Sequence, residues 1–198
     1  MSHFVAPFYP WKNLIELAEF NRKNSIPSTF FLLPRNSKVE LIKNADYKIS
    51  HPYIQNSMDV INKKGHEIGI HGSYKTHNSQ QNLQKDLNLL NKHINGNRFH
   101  FLQFDIQESP KTLESLELTF DSSLGFQEKI GFRNSICTPF KLYNFQENRT
   151  FNFIEIPLNI MDCSLEFSNY MNLSPQESLI EIKNLIQEIK KFNGNICI

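Results

Sequence analysis

Gly65-His66-Glu67-Ile68-Gly69-Ile70-His71-Gly72-Ser73-Tyr74 is the stretch from which the rest of the chain is read. It follows residues 51–64, where Ile54, Met58 and Ile61 recur at helical spacing before a lysine-rich end. Gly65 closes that helix, and residues 66–71 then read as a short buried strand. Side chains of a strand alternate between its faces, so His66 and His71 point to opposite sides. His71 stands at the strand's carboxyl end, ahead of Gly-Ser. In parallel α/β folds ligand sites gather at that end. A neutral imidazole there can ligate a metal; the alternative is a hydrogen-bonded structural histidine. His66, at the strand's start, reads as structural.

Outward from this strand the pattern alternates. Residues 11–23 carry apolar positions 11, 14, 15 and 18, as a helix does, and Thr29-Phe30-Phe31-Leu32-Leu33 is a short apolar run stopped by Pro34. Residues 35–50 read as a loop, and residues 80–94 as an amphipathic helix with Leu83, Leu87, Leu90 and Ile94 on one stripe. Arg98 to Phe104 alternates like a strand, which would put Arg98, His100 and Leu102 on one face. Ser109-Pro110 opens a helix to residue 118. Strand ends are expected at Phe120-Asp121-Ser122-Ser123 and Phe153-Ile154-Glu155-Ile156-Pro157. Ser174-Pro175-Gln176-Glu177 has the cap, proline and N3 glutamate that start a helix, here running to about residue 191. Ile196-Cys197-Ile198 reads as a further strand. Strands alternating with helices predict a parallel α/β sheet or barrel, and no linker or repeat divides the 198 residues, so one domain is expected.

Composition narrows the function classes. With 39% apolar residues and 17 Phe, the chain can build a packed core. Its net charge of +1, from 21 basic and 20 acidic residues, offers no electrostatic footprint for nucleic acid or an anionic membrane. A neutral polar ligand such as a sugar is compatible. Cys137, Cys163 and Cys197 are odd in number and lack CxxC spacing, which argues against a disulfide framework and a cysteine zinc site. Without a basic start and apolar run, the N-terminus does not read as a signal peptide, and no membrane span is present. The expected location is the cytoplasm.

Gly-His-Glu-Ile-Gly-Ile-His resembles the second motif of the NodB-type polysaccharide deacetylases, and Gly72-Ser73-Tyr74 resembles a divergent branch with His-x-Ser-Tyr. Further segments resemble that branch in the same order. They are Thr29-Phe30-Phe31, Arg98-Phe99-His100-Phe101-Leu102, Asp121-Ser122-Ser123-Leu124-Gly125-Phe126, Gly131-Phe132-Arg133, Pro139-Phe140, and Glu155-Ile156-Pro157-Leu158 with Met161-Asp162. The resemblance implies an incomplete (β/α) barrel over residues 1–198, lacking the first and last strands. It implies a hydrolase that removes N- or O-acetyl groups from a polysaccharide or glycan precursor with a divalent metal, zinc by preference, and a carbohydrate as its substrate.

Residue by residue, the resemblance makes His71 a metal ligand. The family's second histidine falls on Lys75, leaving His77 and His100 as alternatives. Arg98 and Arg133 would orient a carboxylate or bond sugar hydroxyls, or else form ordinary ion pairs. Asp121 and Asp162 would support a catalytic group or cap turns. The Asp pair of the family's first motif has no counterpart before Glu16, and its final Leu-x-His would follow Ile198. The expectation is therefore a fragment without its general base and acid, inactive as it stands. The alternative is a non-catalytic carbohydrate-binding or interaction protein on the same barrel. A third reading, a hydrolase with Cys137 or Ser73 as nucleophile, lacks both a GxSxG elbow and a placed histidine.

Overall fold

A computed structural model of the chain describes residues 13–198. The first two residues of the expected first helix, and the region where the Asp pair was sought, lie outside the described residues. The elements run α1 (Asn13–Lys23), β1 (Thr29–Leu32), β2 (Lys38–Val39), β3 (Ile42–Lys43), α2 (Pro52–Lys63), β4 (Glu67–Gly72), α3 (Gln80–Leu90) and β5 (Gly96–Phe99). They continue with α4 (Ser109–Ser115), β6 (Phe120–Asp121), β7 (Tyr143–Asn144), β8 (Arg149–Thr150), β9 (Ile154–Glu155), α5 (Asp162–Glu166) and α6 (Pro175–Lys191).

β1, β4, β5, β6 and β9 form one parallel sheet in the order β1-β4-β5-β6-β9. Parallel neighbours need a crossover, and helices supply the first ones: α2 between β1 and β4, α3 between β4 and β5, α4 between β5 and β6. Among the described residues the sheet is open, with β1 and β9 at its edges. The architecture is α/β with an unclosed parallel sheet, in line with an incomplete barrel. No helix among the described residues is long and apolar enough to cross a membrane.

Local chemistry starts the helices where the sequence suggested, while α3 stops at Leu90 instead of 94 and α4 at Ser115 instead of 118. His51 accepts from Tyr53 N ahead of Pro52, Ser79 caps α3, and Asn91 ends α3 in the left-handed conformation. Ser174 and Glu177 close a capping box on α6. Gly65, at φ +83°, makes the turn from α2 into β4 that a side chain would strain.

One face of the sheet is covered and carries the core. Phe30, Leu32, Ile68, Ile70 and Phe99 pack there with Ala18, Met58, Leu83 and Leu113 of the helices. The other face presents Thr29, Phe31, Glu67, Gly69, His71, Gly96, Arg98, Phe120 and Ile154, by strand alternation and register. Here glycine is needed: a Cβ on Gly69 would lie 2.5 Å from the Phe31 ring, and one on Gly96 1.9 Å from that of Phe120. Both rings thus lean across the neighbouring strand and meet edge-on, 6.4 Å apart. This second face is less enclosed, with Ile154 41% exposed.

Three other segments differ from the sequence expectation. The polar stretch 35–50 contains the short hairpin β2–β3. The strand expected to reach Phe104 stops at Phe99, because Phe101 and Leu102 turn left-handed, at φ 58° and 51°. The last three residues are not a strand, yet the Cys197 carbonyl accepts from Asn159 N at 3.0 Å and Ile160 N at 3.2 Å, so the segment runs alongside the chain after β9.

Ile70 is fully buried in the central strand of the β1-β4-β5 unit. Ile70→Ala should lower unfolding free energy by about 2–5 kcal/mol in urea titration. Leu41→Ala, at a side chain 92% exposed, should stay within about 0.5 kcal/mol of the parent.

Candidate active site

The register of the sheet sorts the candidate residues into two groups. β4 and β5 place His71 beside Arg98, on the less enclosed face at the carboxyl end. β5, β6 and β9 place Asn97, Asp121 and Glu155 side by side, one residue out of phase and so on the helix-covered face.

His71 is held from behind. Asp86 of α3, fully buried, accepts from Ser73 N at 2.9 Å and is ion-paired with Arg35, which also donates to the Asn82 carbonyl at 2.9 Å. That clamp fixes the backbone just after β4. The left-handed turn after Phe99 then carries His100 out of the strand line and back over β4. Its Nδ1 lies 3.2 Å from His71 Nε2, with the rings 5.1 Å apart and at 76°. His71 Nδ1 is buried and meets no partner among the described residues.

Electrostatics keep both rings neutral. Burial above all, then His100 and the Arg98 charge, push His71 down to about 3, against a smaller opposing effect of the Arg98 carbonyl. Burial also lowers His100. A neutral ring keeps the lone pair that ligation or base catalysis requires. Two nitrogens 3.2 Å apart fit the edge of a zinc tetrahedron, about 3.3 Å for ligands at about 2.0–2.1 Å. Such a site needs about three protein donors, and no group of three His, Cys, Asp or Glu that could hold a metal occurs among the described residues. These residues fit part of a zinc site and do not complete one.

Arg98 has no carboxylate partner among the described residues. It donates to the Ser122 carbonyl at 3.1 Å, Ser122 Oγ at 3.0 Å and Cys197 Sγ at 3.3 Å, and its guanidinium lies 4.7 Å from the centre of the Phe31 ring. Its positive charge is oriented but not neutralised. A cavity of about 300 Å³ opens beside it, bounded by Leu14, Thr29, Phe31, Leu32, His71 and Arg98.

The other candidates lie apart from this group. His77 packs edge-on against Phe99, whose side chain belongs to the covered face. Arg133 clasps two carbonyls, those of Leu102 and Gly125, each at 3.3 Å, and so pins the turn that carries His100. Asp162 is exposed, and its carboxylate accepts from Cys163 N at the start of α5. Asp121 is fully buried and holds the far face. It accepts from Asn97 Nδ2 at 2.6 Å, Ser123 N at 2.9 Å and Ser123 Oγ at 3.0 Å.

Sequence reasoning missed Asp121's partner Glu155, and with it Asn97, Ser123, Asp86 and Cys197. A usable signal existed for the first two: a polar residue within a short apolar strand is either on an exposed face or paired inside. Burial raises both carboxyls, and the neighbouring Asp121 drives Glu155 well above the usual range. Three donors favour the Asp121 anion, whereas Glu155 receives only Leu124 N, at 3.0 Å. Burial and the Asp121 carboxyl beside it thus favour the neutral form of Glu155.

No protein-family profile matches the chain, and no curated protein does. Among solved structures, a Mycobacterium smegmatis protein assigned as a polysaccharide deacetylase aligns with 96% of this chain at 14% identity and a TM-score of 0.61. The chain spans 63% of that protein's length. A Bordetella bronchiseptica protein assigned as a polysaccharide deacetylase involved in O-antigen biosynthesis aligns with 76% of this chain and 50% of its own. The identity there is 15% and the TM-score 0.45. The first alignment shows that the chain has the polysaccharide deacetylase, NodB-type α/β fold.

The carboxyl pair predicts a pH dependence. Folded Glu155 binds a proton that the unfolded chain releases above its ordinary value of 4.5. Its contribution to stability is thus present in acid and lost as pH rises through and above that value. Glu155→Gln should remove up to one proton from the slope, at most about 1.4 kcal/mol per pH unit. Urea unfolding of both proteins between about pH 5 and 7 checks this; parallel curves would show that Glu155 is ionised in the fold.

Proposed function

We propose that the chain is the sheet-and-site portion of a metal-dependent carbohydrate deacetylase, acting on N- or O-acetyl groups of a polysaccharide or glycan precursor. The observation that carries this is the approach of His71 Nε2 to His100 Nδ1 at 3.2 Å beside Arg98, at the carboxyl end of a sheet with this fold. The motif order from Thr29 to Asp162 supports the same reading.

In this reading His71 and His100 are two of the metal's protein donors. A bound divalent ion would supply Lewis acidity toward the acetyl carbonyl and a water of lowered pKa. The chain's own residues bind and orient. Arg98, levelled between the Phe31 ring and Ser122, presents a fixed positive charge to the acetyl oxygen or a sugar hydroxyl. Phe31 and Phe120 give the less enclosed face two apolar rings, set edge-on to each other, against which the CH groups of a pyranose can pack. Overall, a water oxygen bonds to the acetyl carbon, the bond to the sugar nitrogen or oxygen breaks, and the leaving atom takes a proton. The general base and acid implied by the family resemblance have no assigned residue among those described. His71 and His100 satisfying one another favours a second reading, a carbohydrate-binding protein without hydrolysis.

Zinc titration calorimetry separates the two. Deacetylase ancestry of the site predicts weak zinc binding by the 198-residue chain. His71→Ala or His100→Ala should weaken it at least tenfold, about 1.4 kcal/mol. Acetate release from N-acetylated chitooligosaccharides should stay at background. Zinc affinity unchanged in His71→Ala would overturn the metal assignment. Oligosaccharide binding that depends on Arg98 but ignores zinc would favour the second reading.

A further inference from the structure

The buried carboxyl pair lies on the opposite face from the two histidines, yet hydrogen bonds run from it to the main chain next to His100. Glu155 stands beside Asp121 in the register of β6 and β9 and receives Leu124 N at 3.0 Å. Asp121 receives both the main chain and the hydroxyl of Ser123, at 2.9 and 3.0 Å. The same Ser123 hydroxyl oxygen accepts from Phe99 N at 2.9 Å. Phe99 is the last residue of β5, and the next residue is His100. A strand that continued past Phe99 would keep His100 on the Arg98 face but in register with Ser73, two residues beyond His71. The side-chain hydroxyl instead occupies the Phe99 N–H, and the left-handed turn at Phe101 and Leu102 follows. Arg133 holds the far side of that turn through the Leu102 and Gly125 carbonyls.

We propose that the Glu155–Asp121 pair, acting through Ser123 and the Phe99 main chain, is a positioning device that ends β5 and sets His100 against His71. This rests on the proposed function only in taking the two histidines as the working end of the site. Ser123 is the connector, because its hydroxyl donates to Asp121 and accepts from Phe99 at once, as only a hydroxyl can. Glu155 and Asp121 fix which way that hydroxyl points. Asp121 is held by Asn97 Nδ2, Ser123 N and the Ser123 hydroxyl, with Glu155 beside it in register. All three side chains are fully buried, so no water competes for these bonds. Arg98, whose positive charge offsets part of the rise at Glu155, is the charged group that also bears on the pair; Asn97 is its neutral donor.

The test uses the full 198-residue chain without metal, labelled with ¹⁵N and ¹³C. The parent protein should show contacts between the His71 and His100 rings and a Phe99 amide protected from exchange. Glu155→Gln keeps an acceptor for Leu124 N and a donor for Asp121, so both signals should persist. Ser123→Ala removes only the connector: the ring contacts should vanish and Phe99 exchange should quicken at least tenfold, while helix content by circular dichroism is unchanged. Ring contacts and Phe99 protection that survive Ser123→Ala would overturn the proposal, as would their loss in Glu155→Gln. If Ser123→Ala does not fold, the Glu155→Gln result decides alone. None of these signals requires zinc or acetate release, so they stand or fall separately from the proposed activity.

Discussion

The pairing register between β4 and β5 is the constraint on which the site depends. It sets His71 opposite Arg98 and Gly72 opposite Phe99. A slip of one residue would exchange the two faces of β4, sending His71 into the helix-packed core and Ile70 out of it. The apolar alternation of β1 and β4 makes that slip costly, since Phe30, Leu32, Ile68 and Ile70 are all buried on one side. Gly69 and Gly96 add a steric lock, because each lies beneath a phenylalanine ring of a neighbouring strand. Core packing thus determines which side chains reach the cavity.

The cost of this arrangement appears on the covered face. Asn97, Asp121, Ser123 and Glu155 are all buried there, in a layer otherwise built from Ile, Leu and Phe. Buried polar groups persist only when hydrogen-bonded, and buried charge only when it is shared or compensated. Burial and its carboxyl neighbour push Glu155 toward its neutral form, and three donors surround Asp121. Asp86 follows the same logic behind β4, where Arg35 and the Ser73 amide compensate it. Both buried acids therefore steady backbone at the carboxyl end of a strand, one just after His71 and the other just before His100.

Most helices and strands were legible in the sequence because their signals are local. Ser174-Pro175 with Glu177, and the apolar stripes of α2 and α3, depend only on near neighbours. The site was half legible. His71 and Arg98 follow from period-two alternation and a strand end. The end of β5 did not, because Arg98 to Phe104 alternates convincingly, whereas the chain turns left-handed at Phe101 and Leu102 and Phe99 N bonds a hydroxyl 24 residues further along. Asp121 was rightly picked out as polar at a strand end, but which face it took depended on the register with Asn97, which no local pattern encodes. Asp162 and Arg133 look alike in sequence, each a charge in a loop; one accepts only from the next residue's amide and the other bridges two distant carbonyls.

The central proposal is that His71 and His100 would supply two nitrogen donors to a metal at the carboxyl end of this sheet. Diffraction from zinc-soaked crystals, recorded on both sides of the zinc absorption edge, tests it most directly. The account predicts an anomalous peak bridging His71 Nε2 and His100 Nδ1, beside the cavity that Arg98 lines. A peak placed elsewhere, or two imidazoles still hydrogen-bonded to each other at saturating zinc, would contradict it.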